Sequence, residues 1–133
     1  MVVETIIDFN QLIGAYAATI QLANHIIEKV KDSRERKNEE IQFIRKVIYN
    51  RRHLSIVTKH NYNGIELADC ENVIIDKLKC VFGENSQLAE AYELDSKDIF
   101  FAFRYHSTID RAMIDASLEN FIKLAKKKYH HKI

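Results

Sequence analysis

Apolar residues recur along this chain with the period of a helix. Phe9, Ile13, Tyr16, Ile20, Ala23, Ile27 and Val30 are spaced alternately by four and three residues, which places them on one seam of an α-helix. This seam predicts a first helix starting near Asp8, or nearer Val3, and suits either the centre of a bundle or a dimer contact. In a second helix Asp32, Ser33 or Asn38 can act as N-cap, and Ile41, Ile44, Val47 and Ile48 mark the inner side. Arg51 continues that side, so either the helix frays near Asn50 or Arg51 enters an interface or a polar site. Residues 54–62 read as a loop, with a hairpin through Asn63-Gly64 as the alternative. The stretch Gly64 to Gly83 reads as one helix with an apolar stripe of Leu67, Cys70, Ile74, Leu78 and Val81. Asn63 with Glu66 would cap its start and Gly83 would provide a left-handed stop. Two short helices are expected over Ser86–Glu93 and Ser96–Tyr105. Ser107 with Asp110 resembles a capping box opening a last helix, whose inner face is Ile114, Leu118, Phe121, Ile122, Ala125 and Tyr129. Proline is absent and glycine occurs three times, which favours long helices. The expected fold is all-α: a helical bundle of four main helices plus one or two short ones, forming a single domain over residues 1–133.

With 133 residues, 47% of them hydrophobic and 29% charged, the composition is that of one globular domain. The start "MVVETIIDF" lacks the basic segment and apolar run of a signal peptide. No apolar stretch approaches the ~18 residues of a membrane span, so a cytoplasmic protein with no membrane association is expected. Cys70 and Cys80 lie ten residues apart on one predicted helix, roughly 15 Å at ~1.5 Å per residue, too far for a disulfide. Both are expected as reduced, largely buried thiols. Net charge is +1 but unevenly placed. Residues 31–60 carry nine bases and four acids, residues 61–110 four bases and ten acids, and residues 111–133 six bases and two acids. Such blocks can meet each other across a fold or a subunit interface, or set cations beside a polyanionic ligand.

Several chemistries are excluded by inspection. The isolated Gly14, Gly64 and Gly83 form no phosphate loop, no Cys/His set has zinc-finger spacing, and no Glu is followed three places later by His. The third helix carries Glu66, Asp69 and Asp76 along one side, and Glu66 and Asp69, at i and i+3, suit a shared hard cation. The segment "ERKNEE" offers a second acidic face, with Glu35 and Glu39 at i and i+4 and Glu40 adjacent. If the two helices pack antiparallel, Glu35, Glu39, Glu66 and Asp69 are expected to converge on one Mg²⁺. The plainer account is a capping acid plus solvated helix edges. Arg51 and Arg52, with Arg45, Lys46 and Lys59, are candidate phosphate grips.

The stretch "IELADCENVIIDKLKCVFG" resembles the second motif, E-x-x-D and its flanks, of the MazG-like all-alpha nucleoside-triphosphate pyrophosphohydrolases, with Glu66 and Asp69 at the acid positions. The first motif of that family, E-E-x-x-E, is matched in part. The register "ERKNE" places Glu35 and Glu39 correctly but Arg36 at the second Glu; "EEIQF" matches Glu39 and Glu40 but puts Phe43 at the third. The resemblance implies a nucleoside triphosphate held through Mg²⁺, a metal-activated water attacking between the α and β phosphates, and a homodimer. The incomplete first motif equally implies a scaffold that binds the nucleotide without hydrolysing it. The alternative reading is a non-enzymatic helical protein that meets a protein partner or sequesters a nucleotide. A third reading is nucleic-acid binding, including the basic end "KKKYHHK". The Arg-x(4–6)-His pattern of HEPN ribonucleases is not met, because seven residues separate Arg52 from His60 and eight separate Arg51 from it.

Overall fold

The computed structural model describes residues 9–54, 64–105 and 111–133. Five helices account for most of them: α1 (Phe9–Lys29), α2 (Ser33–His53), α3 (Gly64–Phe82), α4 (Gln87–Tyr105) and α5 (Arg111–Lys128). There is no strand among the described residues, and the chain is an all-α bundle. No helix among them is long and apolar enough to cross a membrane. The hairpin alternative, the Asn63 cap and the Ser107–Asp110 box lie outside the described residues.

The helices pack in a ring. α1 lies against α2 and α3, α3 continues to α4, α4 to α5, and α5 returns to α2. One core fills the ring, with Tyr16, Ile44, Val47, Leu78, Tyr92 and Phe121 fully enclosed. α2 and α3 run antiparallel, because Arg51 near the end of α2 meets Glu71 in the first half of α3, while Phe43 stacks on Phe82 with ring centroids 6.3 Å apart.

Five local features differ from or sharpen the sequence reading. The buried face of α1 is Leu12, Tyr16, Thr19, Ala23 and Ile26, followed by Val30. It shares Tyr16, Ala23 and Val30 with the expected seam but is rotated, leaving Ile27 40% exposed. The rotation follows from packing on two neighbours: Thr19 is turned inward to accept a hydrogen bond from Asn50 of α2 at 2.9 Å. The two short helices expected over residues 86–105 are instead one continuous helix, α4. Ser96, expected to begin the second short helix, sits mid-helix and donates back to the Tyr92 carbonyl four residues earlier at 3.0 Å, and nothing between Glu93 and Ser96 breaks a helix. Asp32 is the N-cap of α2, in extended conformation, accepting from the Arg34 and Glu35 amides. Gly83 terminates α3 at φ +97°, its amide bonded to the Lys79 carbonyl at 2.8 Å, the left-handed stop that glycine adopts without strain. Both cysteines are free, but Cys70 is half-buried and Cys80 is exposed on the outer side of α3.

Candidate functional site

Arg51 and Arg52 are sequence neighbours with opposite fates. Successive residues of an α-helix point about 100° apart, and α2 runs unbroken through both. Arg51 therefore enters the core, completely enclosed, while Arg52 faces outward toward α5.

Arg51 Nη2 donates to Glu71 Oε2 at 3.2 Å and to Ser96 Oγ at 2.7 Å. Glu71 is itself enclosed. Its Oε1 accepts the hydroxyl of Tyr16 and its Oε2 the hydroxyl of Ser96 at 3.3 Å. The Tyr92 ring lies under the guanidinium, 4.4 Å from Cζ to centroid. Four helices thus contribute to one buried polar cluster. Burial raises the Tyr16 phenol well above its ordinary value, with the Glu71 carboxylate adding to the effect, and burial likewise raises Tyr92. For Arg51, burial opposes the charged form, but the adjacent carboxylate more than compensates and the guanidinium stays protonated. Arg51 Nε and Nη1 and the Tyr92 hydroxyl have no hydrogen-bond partner among the described residues. Asp95, one residue from Ser96, is half-buried; desolvation, with Asp98 adding and Arg51 opposing, pushes its carboxyl up to about 6. The enclosed Arg51 has no exposed atom to offer a phosphate, and its chemistry is that of a structural ion pair.

Arg52 borders a surface groove of about 740 Å³ along α5, lined by the apolar Ala116 and Ile122 and by Lys123, Lys126 and Lys127. Asp115 and Glu119 also line it, and Asp115 Oδ1 lies 3.4 Å from Arg52 Nε. These positions follow from α5's own period: Asp115, Glu119, Ile122 and Lys126 are spaced 4-3-4, one stripe beside the buried Ile114, Leu118, Phe121 and Ala125. Lys128, next in sequence, turns the other way and sits over the Phe82 ring at 4.8 Å.

The end of α5 shapes a second groove. His130 and His131 adopt φ of 54° and 65°, and the His131 amide bonds to the Lys126 carbonyl at 2.8 Å, folding the chain back onto α2. Tyr129 anchors this turn, its hydroxyl donating to Glu40 Oε1 at 3.0 Å; burial and that carboxylate raise its phenol. The Arg45 guanidinium donates to the Lys132 carbonyl. Asn38, Ile41, Gln42 and Arg45 of α2 with Lys132 and Ile133 enclose about 670 Å³, and His131 lines both grooves.

The predicted metal ligands are placed differently. Glu35, Glu66 and Asp69 are exposed and Glu39 is half-buried. Antiparallel packing of α2 and α3 sends their N-terminal turns to opposite ends. Glu39 lies twelve residues before Arg51, and Asp69 two residues before its partner Glu71, so roughly 20 Å of helix separates that pair and about 30 Å separates Glu35 from Glu66. Ligands of one hard cation stand about 2.0–2.6 Å from it. Among the described residues no group of three or more His, Cys, Asp or Glu is placed to hold a metal ion. Glu40 is engaged by Tyr129 and Arg36. His53 is occupied locally, its Nδ1 2.7 Å from the Tyr49 carbonyl, and His60 lies outside the described residues.

Sequence reading missed Glu71, although its signal was present. Leu67, Glu71, Ile74 and Leu78 are spaced 4-3-4, so Glu71 occupies an inner-face position of α3, as Arg51 does in α2. Two opposite charges on two inner faces are the mark of a buried pair. No protein-family model, curated protein or solved structure matches the chain.

Proposed function

We propose that this protein binds a nucleotide through its phosphates in the α5 groove, using Arg52, Lys123, Lys126 and Lys127. The observation carrying this reading is the juxtaposition of like charges. The basic blocks on α2 and α5 are neighbours in the ring, although α5 also packs on the acidic α4 and α2 pairs with α3 through Arg51 and Glu71. Gathering cations along one groove costs self-repulsion, which a bound polyanion relieves. The apolar side chains of Ala116 and Ile122 offer a surface for a base or sugar, and the volume of about 740 Å³ falls in the range of small-molecule sites.

Binding is the activity this geometry favours over metal-assisted hydrolysis. Within one chain the two acidic faces lie at opposite ends of α2 and α3, so Glu35, Glu39, Glu66 and Asp69 do not surround one Mg²⁺. The test is calorimetry with nucleoside mono-, di- and triphosphates in the presence of EDTA. Binding in EDTA is expected, together with its loss in Lys126→Glu/Lys127→Glu at unchanged helicity, and with no change in Glu66→Ala/Asp69→Ala. Failure of every nucleotide to bind overturns the reading. Binding that appears only when Mg²⁺ replaces EDTA, and that is lost in Glu66→Ala/Asp69→Ala, restores the metal-centred one.

A further inference from the structure

The two grooves are one surface. α2 and α5 run antiparallel, with Arg52 beside Asp115 at one end and Glu40 bonded to Tyr129 toward the other. His131 lines the α5 groove and the C-terminal groove alike. The track they form follows α2 from Arg52 to Asn38, fourteen residues and roughly 20 Å. Along it stand Arg45, Arg52, Lys123, Lys126, Lys127 and Lys132, against the two carboxylates of Asp115 and Glu119. A single nucleotide occupies one groove and leaves the cations of the other unanswered.

We infer that the natural ligand of this track is a single-stranded nucleic acid, its phosphodiester backbone spanning both grooves across His131. The inference rests on the reading of the α5 groove as a phosphate site and extends it from a monomer to a polymer. The lining favours a single strand, because Ala116 and Ile122 offer an apolar surface beside the lysines to an unstacked base. The imidazole of His131 stands where the grooves join, an aromatic ring among cations, the pairing that sequence-tolerant strand binders use. At the ~3.4 Å rise of a stacked strand the track accommodates about six nucleotides, fewer when the strand is extended.

The built turn supports the same assignment. His130 and His131 both hold left-handed backbone, which non-glycine residues adopt at a cost. The Tyr129–Glu40 and Arg45–Lys132 hydrogen bonds hold this turn in place. The outcome is that Lys132 and His131 face α2 and continue the cationic line instead of ending it at Lys127.

The experiment titrates the full chain with dT and rU oligomers of one to eight nucleotides, by fluorescence anisotropy and competition. Affinity is expected to rise at least 100-fold from the mononucleotide to the hexamer and then level off. For about four neutralised phosphates the slope of log K against log salt is about −2.8. Lys132→Glu is expected to weaken the hexamer at least tenfold more than it weakens the mononucleotide, with unchanged circular dichroism. Binding of either sugar type carries the proposal, and the ratio of rU to dT identifies the source. A hexamer no tighter than the mononucleotide overturns it while leaving the nucleotide reading in place; no binding at any length removes both. Equal binding of a hexamer duplex, or equal competition by hexaglutamate, also overturns it.

Discussion

Glu71→Leu tests the buried cluster directly. The substitution removes a carboxylate that accepts from Tyr16, Arg51 and Ser96 and leaves the Arg51 guanidinium enclosed, with Ser96 Oγ and the Tyr92 face as its remaining contacts. Removing one partner of a buried ion pair costs about 3–5 kcal/mol, because the other charge stays desolvated without its counter-charge. Unfolding entropy is about 2.1 cal/mol/K per residue. For 133 residues a loss of 4 kcal/mol then lowers Tm by roughly 14 °C. The double variant Arg51→Met/Glu71→Leu removes both charges and restores an apolar interior. Exchanging a buried pair for packed apolar side chains is close to neutral, so the double variant should stay within about 2 kcal/mol of the wild type and be more stable than Glu71→Leu alone. Urea melts of these three proteins and of the single variant Arg51→Met give the coupling energy, expected at about 2 kcal/mol or more. A loss below about 1 kcal/mol for Glu71→Leu, or a double variant as unstable as the summed singles, refutes the account.

Three further outcomes are expected. The Asp95 carboxyl titrates at about 6, above its ordinary value, so between pH ~4 and ~6 the folded chain keeps a proton the unfolded chain has lost, and stability falls as pH rises through that window; with the group half-exposed the effect is about 1 kcal/mol. Asp95→Asn should therefore stabilise the protein at pH 7 and flatten the profile between pH 4 and 7 in urea melts. Asp32→Ala removes the acceptor for the Arg34 and Glu35 amides and should cost about 1 kcal/mol, read as a Tm drop of roughly 3–4 °C. At Gly83 a Cβ meets nothing within 4 Å, so Gly83→Ala should cost only the left-handed strain of about 1–2 kcal/mol, and Gly83→Asn less than Gly83→Ala in the same thermal melts.

The extent to which the candidate site was legible varies by residue. Arg51 broke the apolar pattern of α2 visibly, and one of the two consequences drawn from that break, entry into a polar site, is what the fold shows. Its partner Glu71 stood at an equivalent inner position of α3, but the neighbouring acids at residues 66 and 69 drew attention to the solvated side of the helix. Arg52 was recognisable only as a cation; that it shares a groove with Lys123, Lys126 and Lys127 follows from the adjacency of α2 and α5, helices about sixty residues apart in the chain. The mid-helix role of Ser96 was not legible either, because serine favours caps in isolation and only the acceptor on Glu71 makes its inward position favourable.

By itself the sequence determined that the chain is helical and where α1, α2, α3 and α5 run, but not that residues 87–105 form one helix. Apolar periodicity, the scarcity of chain-breakers, the Asp32 cap and the Gly83 stop act over three or four residues, and that range is all that local hydrogen bonding and side-chain spacing require. The tertiary structure alone decided which faces meet. The rotation of α1 toward Thr19, the closing of the Arg51–Glu71 pair and the placing of two basic helices side by side depend on the ring order of the five helices. That order is selected by burying all their apolar stripes at once, an energy no single segment contains. The same selection carried the acidic turns of α2 and α3 to opposite ends, because antiparallel neighbours hold their beginnings a helix length apart.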